Sequence, residues 1–307
     1  MENKVNDKLK DKLSIGLSLS MRIEEYKLLF DKYHDYIHSI YFSPPLEGKY
    51  HSRREIEKEF SDPRNVQRFY KIIEMIKDRG YILDCVLNRP SISEKDIHQA
   101  IDYIKETEVD QITCLSKDIE LLHEAFPDKE LIYSYNNDLS PRRIESIPRE
   151  FSTVVVGKYF LRSPELLKKI TDEGFKLKLL VNNGCSFNCK GCQAGSKQCQ
   201  TTFEENLKKK DVNYLYALQS FYPTELEELL SELTLPVESI KISNRTDGYE
   251  YLDKCLESYI NLVTPQTYID EKKSNFRLWS RMAGFNPYFE TLDNNEIVKI
   301  KQKGFNK

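Results

Sequence analysis

The sequence predicts an α/β protein built on a TIM-like (β/α)8 barrel with a cysteine-rich insertion after the seventh strand. Eight short apolar runs alternate with longer amphipathic segments along most of the chain. Strands that are apolar almost throughout are typical of a parallel sheet buried on both faces, and eight such units match a barrel in number and length. A doubly wound sheet is the alternative, but the segment GLSLSM has one glycine where a dinucleotide fingerprint needs three.

Each predicted strand is a short run of mainly apolar residues bounded by polar residues, glycine or proline. The eight predicted strands are residues 14–19, 38–43, 81–87, 111–116, 131–135, 152–157, 176–182 and 238–243. The segments between them carry apolar residues at helical spacing, and several begin after a Ser, Asp or Thr that can cap a helix.

The domain organisation follows from where this alternation holds. Residues 13–263 are expected to form the barrel, and residues 184–236 interrupt the rhythm as a cysteine-bearing insertion. Residues 264–307, which contain the single Trp279, are expected to be a C-terminal extension packed on the barrel.

Composition limits the classes of partner and the cellular compartment. The chain has 46 Lys and Arg against 49 Asp and Glu, so bulk positive charge does not hold it to nucleic acid. No apolar run approaches the ~20 residues that span a bilayer, and the start lacks the apolar segment of a secretory signal. We therefore expect a cytoplasmic protein with no membrane partner, in which the seven cysteines are free thiols or metal ligands.

Four of the cysteines fall within fifteen residues, directly after the seventh predicted strand. In KLLVNNGCSFNCKGCQAGSKQC, Cys185, Cys189 and Cys192 have C-x3-C-x2-C spacing, and Cys199 follows. Thiolates converging from one short loop suit an iron-sulfur cluster or a tetrahedral zinc site. Structural zinc sites commonly pair two C-x2-C arms, so this spacing favours a 4Fe-4S cluster, with zinc as the alternative and the role of Cys199 open. In a barrel, a loop after the seventh strand lies on the face where chemistry occurs.

Polar residues near the predicted strand ends are further candidates for that face. The candidate catalytic residues are Lys158, Tyr159, Arg162, Lys241 and Arg245. Basic groups from neighbouring strand ends could hold a carboxylate or phosphate, whereas the alternative is that they are solvated or paired with Asp84 and Asp247. Weaker polar candidates are Ser43, Asp84, Asn88, Arg89, Cys114, Tyr135, Asn136, Asn137 and Asn244.

Other cysteines and histidines carry less chemical information. Cys85 and Cys114 lie in apolar strands, where a cysteine is usually a small core residue. His34 and His38 are four residues apart but lack the glutamate of an H-E-x-x-H zinc site, and no G-x-S-x-G elbow is present. The sequence therefore does not support a metalloprotease or a serine hydrolase.

The C-x3-C-x2-C motif is similar to the cluster motif of radical S-adenosylmethionine enzymes. That resemblance implies a 4Fe-4S cluster whose open iron binds S-adenosylmethionine. In that family the motif normally follows the first barrel strand, whereas seven predicted strands precede Cys185 in this chain. S-Adenosylmethionine is therefore the less favoured cofactor.

A wider stretch, residues 152–260, resembles the collagenase-like peptidase family U32. The matching pieces are LLVNNGCSFNC at 179–189, FYPTELEELLSEL at 221–233 and a strand end with Lys241, Ile242 and Arg245. The resemblance implies a barrel, and some members resemble iron-sulfur proteins that install hydroxyl groups without oxygen on ubiquinone precursors or RNA. Their cluster cysteines are spread more widely than those of this chain.

Together these interpretations predict an iron-sulfur enzyme that carries out a redox reaction or an oxygen-independent modification. Its substrate would be a small molecule, a peptide or RNA, and it would work with an electron donor or a related partner subunit. The competing class is a non-catalytic barrel with a structural zinc loop, acting as a scaffold.

Overall fold

Eight parallel strands form a closed barrel in which each strand pairs with the next in the chain and β8 pairs with β1. The computed structural model describes residues 7–46, 50, 59–89, 92–135, 139, 141–157, 160–161, 163–182, 223–232, 234–243 and 248–262. The strands are β1 (Leu13–Gly16), β2 (Ile37–Phe42), β3 (Ile82–Leu87), β4 (Gln111–Cys114), β5 (Glu130–Tyr133), β6 (Thr153–Val156), β7 (Lys176–Leu180) and β8 (Val237–Ile242). The predicted fold class and the order of all eight predicted strands are confirmed.

Helices connect or follow these strands. The helices of the described residues are α1 (Ile23–Tyr33), α2 (Pro63–Asp78), α3 (Glu94–Thr107), α4 (Ile119–Ala125), α5 (Pro164–Asp172), α6 (Pro223–Glu232) and α7 (Tyr249–Ile260). Between β5 and β6 the chain forms the 3-10 helix Pro141–Ser146. Helix α6 falls inside the expected insertion 184–236 and links β7 to β8.

Local sequence determines where several of these helices begin and end. The Asp62 side chain accepts a hydrogen bond from the backbone N–H of Arg64, and Pro63 fills the first turn of α2, where its missing N–H is not needed. Ser93 and Asp96 form a capping box at the start of α3. After α2 the chain turns at Gly80, whose φ of +74° lies in the left-handed region that favours glycine.

The main hydrophobic core lies between the barrel and its helices. Alternate residues of each strand point outward into it, including Leu83 and Cys85 of β3, and the apolar faces of the helices cover them. Burying one large apolar side chain contributes about 1.5–3 kcal/mol, so this layer supplies most of the favourable free energy of folding. Cys85 and Cys114 are completely buried in it, which confirms them as core residues.

The inside of the barrel is polar at the level of Asp84 and Lys178. Lys178 of β7 donates a hydrogen bond at 2.8 Å to the Asp84 carboxylate of β3, and both side chains are at most 1% exposed. Thr113 donates to the other carboxylate oxygen at 2.7 Å, and Ser39 donates to Ser14 at 2.8 Å. Strands β3 and β7 stand on opposite sides of the barrel, so the ion pair crosses its interior.

The carboxyl of Asp84 is held in its ionised form. Burial raises the pKa of this group, but the charges of Lys178 and Lys241 and the hydrogen bonds from Lys178 and Thr113 outweigh burial. The pKa of Asp84 therefore lies below its ordinary value. This position corrects the expectation that Asp84 is a strand-end residue: it lies in the third position of β3, inside the barrel.

The amino ends of the strands carry a separate set of polar contacts. Glu130 accepts hydrogen bonds from Gln111 and Thr153, both at 2.7 Å. Glu238 pairs with Lys176 at 2.9 Å. This end of the barrel is therefore closed by paired side chains, which is typical of the stability face of such barrels.

None of the helices that the structure describes combines the length and apolar character needed to cross a bilayer.

Replacement of Lys178 by methionine should lower the free energy of unfolding by about 3–5 kcal/mol, because the Asp84 carboxylate then stays buried without its ammonium partner. The double variant Asp84→Leu, Lys178→Met should recover most of that loss, and urea unfolding measures both values. The coupling free energy between the two residues should be constant above about pH 4, where Asp84 is ionised. It should decrease as pH falls through the depressed pKa of Asp84.

Lys168→Met is the matched control for this experiment. Lys168 pairs with Asp172 on the exposed face of α5, so its replacement should change stability by less than about 1 kcal/mol. Equal losses in the Lys168 and Lys178 variants would show that the buried pair has no special role.

Candidate active site

The carboxyl ends of β7 and β8 are joined by a buried asparagine. The side chain of Asn182, which is fully buried, accepts a hydrogen bond from the backbone N–H of Ser243 at 2.5 Å and donates one to its carbonyl at 3.2 Å. Ser243 in turn donates its hydroxyl to the Asn182 carbonyl at 3.3 Å. The side-chain amide of Asn182, two residues after β7, thus joins the chain to the first residue after β8.

This pair of residues, called the Asn182–Ser243 clamp below, lies at the end of two described stretches of chain. Cys185 is the third residue after Asn182 in the sequence, and Arg245 is the second after Ser243. The clamp also contacts α7, because Asn182 donates to the Tyr251 hydroxyl at 3.3 Å. The last described residues before the cysteine motif and before Arg245 are therefore hydrogen-bonded to each other.

Lys241 lies inside the barrel near its carboxyl end. Its ammonium nitrogen is 3.9 Å from the centroid of the Tyr41 ring, a cation–π contact, and its charge helps to lower the pKa of Asp84. Lys241 belongs to β8 and Tyr41 to β2, with β1 between them. On β1, Gly16 is paired in register with Tyr41 and Ser14 with Lys241. The Tyr41 hydroxyl donates to the Ile242 carbonyl at 2.8 Å and holds the ring in place.

An apolar group lies inside the barrel on β5, β6 and β7, and its Leu180 is paired in register with Lys241. Ile132, Val155 and Leu180 pack together separately from the main core, and the partly exposed Tyr135 lies against them. A Cβ on Gly157 would lie 3.0 Å from the Tyr135 ring, so the absence of a side chain at Gly157 lets the ring lie there.

The structure places only some of the residues that the sequence singled out. Among the candidate catalytic residues, Lys241 lies within the described residues, and Lys158, Tyr159, Arg162 and Arg245 lie outside them. Cys185, Cys189, Cys192 and Cys199 also lie outside them, as do Asn136, Asn137, Asn244, Asp247 and residues 264–307.

The weaker candidates near the strand ends differ in how far they are buried and in what they contact. Tyr135 is part of the apolar group, whereas Cys114 is fully buried in the outer core. Ser43 is buried and donates to the Val86 carbonyl at 3.4 Å. Asn88 and Arg89 follow β3 and are partly exposed.

The two histidines of interest have separate partners. The Nδ1 atom of His34 lies 3.0 Å from the Tyr81 hydroxyl, and that of His38 lies 3.2 Å from the Asp11 carboxylate. They do not share a site, although they are four residues apart in the sequence.

The described residues contain no group of three or more His, Cys, Asp or Glu side chains that could hold a metal. Burial raises the pKa of the Cys85 and Cys114 thiols well above their ordinary value, so neither offers the thiolate that a metal needs. Cys255 is buried as well, and the cysteines of the C-x3-C-x2-C motif lie outside the described residues, so the cluster stays a prediction.

Three residues of this site were not identified from the sequence as functional. Asn182 lies in the family-like stretch LLVNNGCSFNC, and Lys178 and Tyr41 lie in predicted strands, where the sequence assigns them no further role. A signal was present for Lys178, since a lysine between leucines in an otherwise apolar strand is rarely buried without a partner.

Replacement of Asn182 by alanine should destabilise the protein by about 1–3 kcal/mol, because the buried N–H of Ser243 then has no acceptor. Amide hydrogen exchange at Ser243 should accelerate, and urea unfolding gives the stability change. Asn65→Ala, on the surface of α2, is the control and should leave exchange at Ser243 unaltered. Unchanged protection of Ser243 in the Asn182 variant would contradict the role of the clamp.

Comparison with known proteins identifies relatives in fold only. No family model and no curated protein matches this sequence. A U32 peptidase structure is 13% identical, with a TM-score of 0.46 over 76% of this chain and 93% of that chain. A mutant tryptophan synthase α-subunit from Pyrococcus furiosus is 10% identical, with a TM-score of 0.45 over 82% and 93%. A tryptophan synthase from M. tuberculosis is 7% identical, with a TM-score of 0.45 over 83% and 89%.

Proposed function

We propose that this chain is an iron-sulfur enzyme whose active site lies at the carboxyl end of its barrel. The observation that carries the proposal is the Asn182–Ser243 clamp, which starts the cysteine segment beside the end of β8, where Lys241 lies. In (β/α)8 barrels the loops after the strands carry the chemistry, so a cofactor held by this segment would adjoin the barrel cavity.

The cofactor that best suits the four clustered cysteines is a 4Fe-4S cluster. Cys185, Cys189 and Cys192 would hold it, with Cys199 as the fourth ligand if the cluster is closed. When bound, such a cluster supplies one-electron transfer, and an open iron can also bind a substrate or a cofactor. An electron donor or a partner subunit would reduce it.

The barrel residues would bind and orient an acidic substrate. Lys241 would hold the negative group, with help from Lys158, Tyr159 and Arg162, which follow β6 in the sequence, and from Arg245, which follows β8. The Asp84–Lys178 pair beneath Lys241 would keep the cavity floor rigid, because both groups are fully buried and hydrogen-bonded.

The reaction class proposed is a redox reaction or an oxygen-independent, hydroxylation-like modification of a small molecule, a peptide or RNA. The resemblance of residues 152–260 to the U32 family supports this class. The site is proposed to operate in the cytoplasm, where its thiols would stay reduced.

Anaerobically purified protein should be brown and should contain about four iron and about four sulfide ions per chain, the content of one 4Fe-4S cluster. Cys185→Ala, Cys189→Ala and Cys192→Ala should each lose most of the iron, because few thiolates are available to replace the lost ligand. Iron and sulfide analysis with electron-paramagnetic-resonance spectra of the reduced protein measures this. Cys85→Ala is the control, since Cys85 is buried in the core and should not affect metal content.

The outcomes of that experiment separate the alternatives. Colourless protein with bound zinc would indicate a structural zinc loop and overturn the proposal, as would full iron content in the Cys189 variant. Cys199→Ala then distinguishes a closed cluster, which loses iron, from an open one, which keeps it.

Reduced protein should not cleave S-adenosylmethionine to a deoxyadenosyl product above background, because seven strands precede the motif instead of one. Product analysis after reduction with dithionite tests this, with Cys192→Ala as the matched control. Cleavage by the parent protein that the Cys192 variant abolishes would instead assign the chain to radical S-adenosylmethionine chemistry.

A further inference from the structure

A histidine lies at the amino ends of the strands, where the barrel closes. His38 is the second residue of β2, and its side chain is 11% exposed. Strand β1 pairs with β2 on one side and with β8 on the other, so the first and last strands of the chain meet here. The Lys12 carbonyl accepts from the N–H of Ile240, and the Lys12 N–H donates to the carbonyl of Tyr36. The amino ends of β8, β1 and β2, with the turn before β1, form the closing seam of the barrel.

Both ring nitrogens of His38 face a carboxylate. The Nδ1 atom lies 3.2 Å from Oδ1 of Asp11, in the turn before β1, and the Nε2 atom lies 3.6 Å from Oε1 of Glu238, in β8. The Nε2 atom is buried and makes no hydrogen bond to the residues that the structure describes. The ring therefore lies between two groups that, when ionised, can only accept hydrogen bonds.

A neutral histidine ring cannot serve both of these acceptors. It carries a hydrogen on one nitrogen and a lone pair on the other. With the hydrogen on Nδ1, the lone pair of Nε2 faces Glu238, and with the hydrogen on Nε2, the lone pair of Nδ1 faces Asp11. The protonated ring has an N–H on each side and can donate in both directions. Histidine is the side chain that ordinarily changes between these two forms between about pH 5 and 8.

The other charged groups of the seam have acceptors of their own. Lys176 of β7 pairs with the Glu238 carboxylate at 2.9 Å, and the Lys12 ammonium group donates to the Val237 carbonyl at 3.1 Å. Burial raises the pKa of Glu238, but the hydrogen bond and charge of Lys176, followed by the charges of His38 and Lys12, lower it overall. Glu238 is therefore an ionised acceptor throughout the pH range in which histidine changes form.

We propose that the closing seam contains a pH-sensitive link, in which the protonated ring of His38 joins the turn before β1 and the start of β8 to β2. Below about pH 6 the ring donates to a carboxylate on each side, through charge-assisted hydrogen bonds. Above that range it can donate to one side only. The link lies at the end of the barrel opposite the proposed active site, so it acts on barrel closure and does not depend on the proposed chemistry.

Amide hydrogen exchange of the full chain at about pH 5.5 and about pH 8 tests the proposal. The reporters are the amides of Leu13 and Ile240, which donate to the carbonyls of Tyr36 and Lys12 across the seam. Each rate is divided by the rate of an unstructured peptide at the same pH, which gives a protection factor. Protection in the parent should be about three- to tenfold higher at the lower pH, because the charged contacts are present there and are lost as pH rises.

Two variants assign this difference to the link. His38→Gln should lose it, and Asp11→Asn should reduce it, because the amide removes one of the two charged acceptors. Asparagine tolerates the positive φ of +52° at position 11, so this variant keeps the test decisive if His38→Gln does not fold. His98→Gln, on the exposed face of α3, is the matched control and should keep the full difference.

Thermal unfolding of each variant verifies that it is folded. Equal protection of the parent amides at the two pH values would overturn the proposal. So would an undiminished difference in His38→Gln or in Asp11→Asn, or its loss in His98→Gln.

Discussion

The buried ion pair between Asp84 and Lys178 is the constraint on which the barrel interior depends. It joins two strands on opposite sides of the barrel, from positions 94 residues apart in the chain. Two charges can stay buried only if each is paired and its remaining hydrogen-bonding capacity is used, and Thr113 supplies part of that. The interior is polar at the level of this pair, and most of the stabilising apolar burial lies outside the barrel, beneath the helices.

The ion pair also fills the middle of the barrel, because Asp84 and Lys178 are at most 1% exposed and meet across it. The side chains nearer the carboxyl ends of the strands lie above this level. Lys241 lies there, attracted by the same Asp84 carboxylate and supported by the Tyr41 ring. The Asn182–Ser243 clamp joins the chain beyond β7 to the chain beyond β8 at the same end of the barrel.

The order of strands and helices was predictable because alternation of short apolar runs with amphipathic segments is a local property of the chain. The core role of Cys85 and Cys114 was predictable for the same reason, as was a position for Lys241 near the end of β8. The strand-end position predicted for Asp84 is wrong, because this residue lies inside the barrel. The sequence shows that Asp84 interrupts an apolar strand, but it does not show the partner. Only the closed barrel brings Lys178 of β7 within hydrogen-bonding distance.

The sequence by itself determined the eight repeating units, the strand positions and the close spacing of four cysteines, since each depends on neighbours within a few residues. Only the tertiary structure decided which side chains face inward and which of them meet. The contacts of Asp84 with Lys178, of Lys241 with Tyr41 and of Asn182 with Ser243 join residues from distant parts of the chain. Strand register and barrel closure bring them together, and no local pattern encodes those pairings.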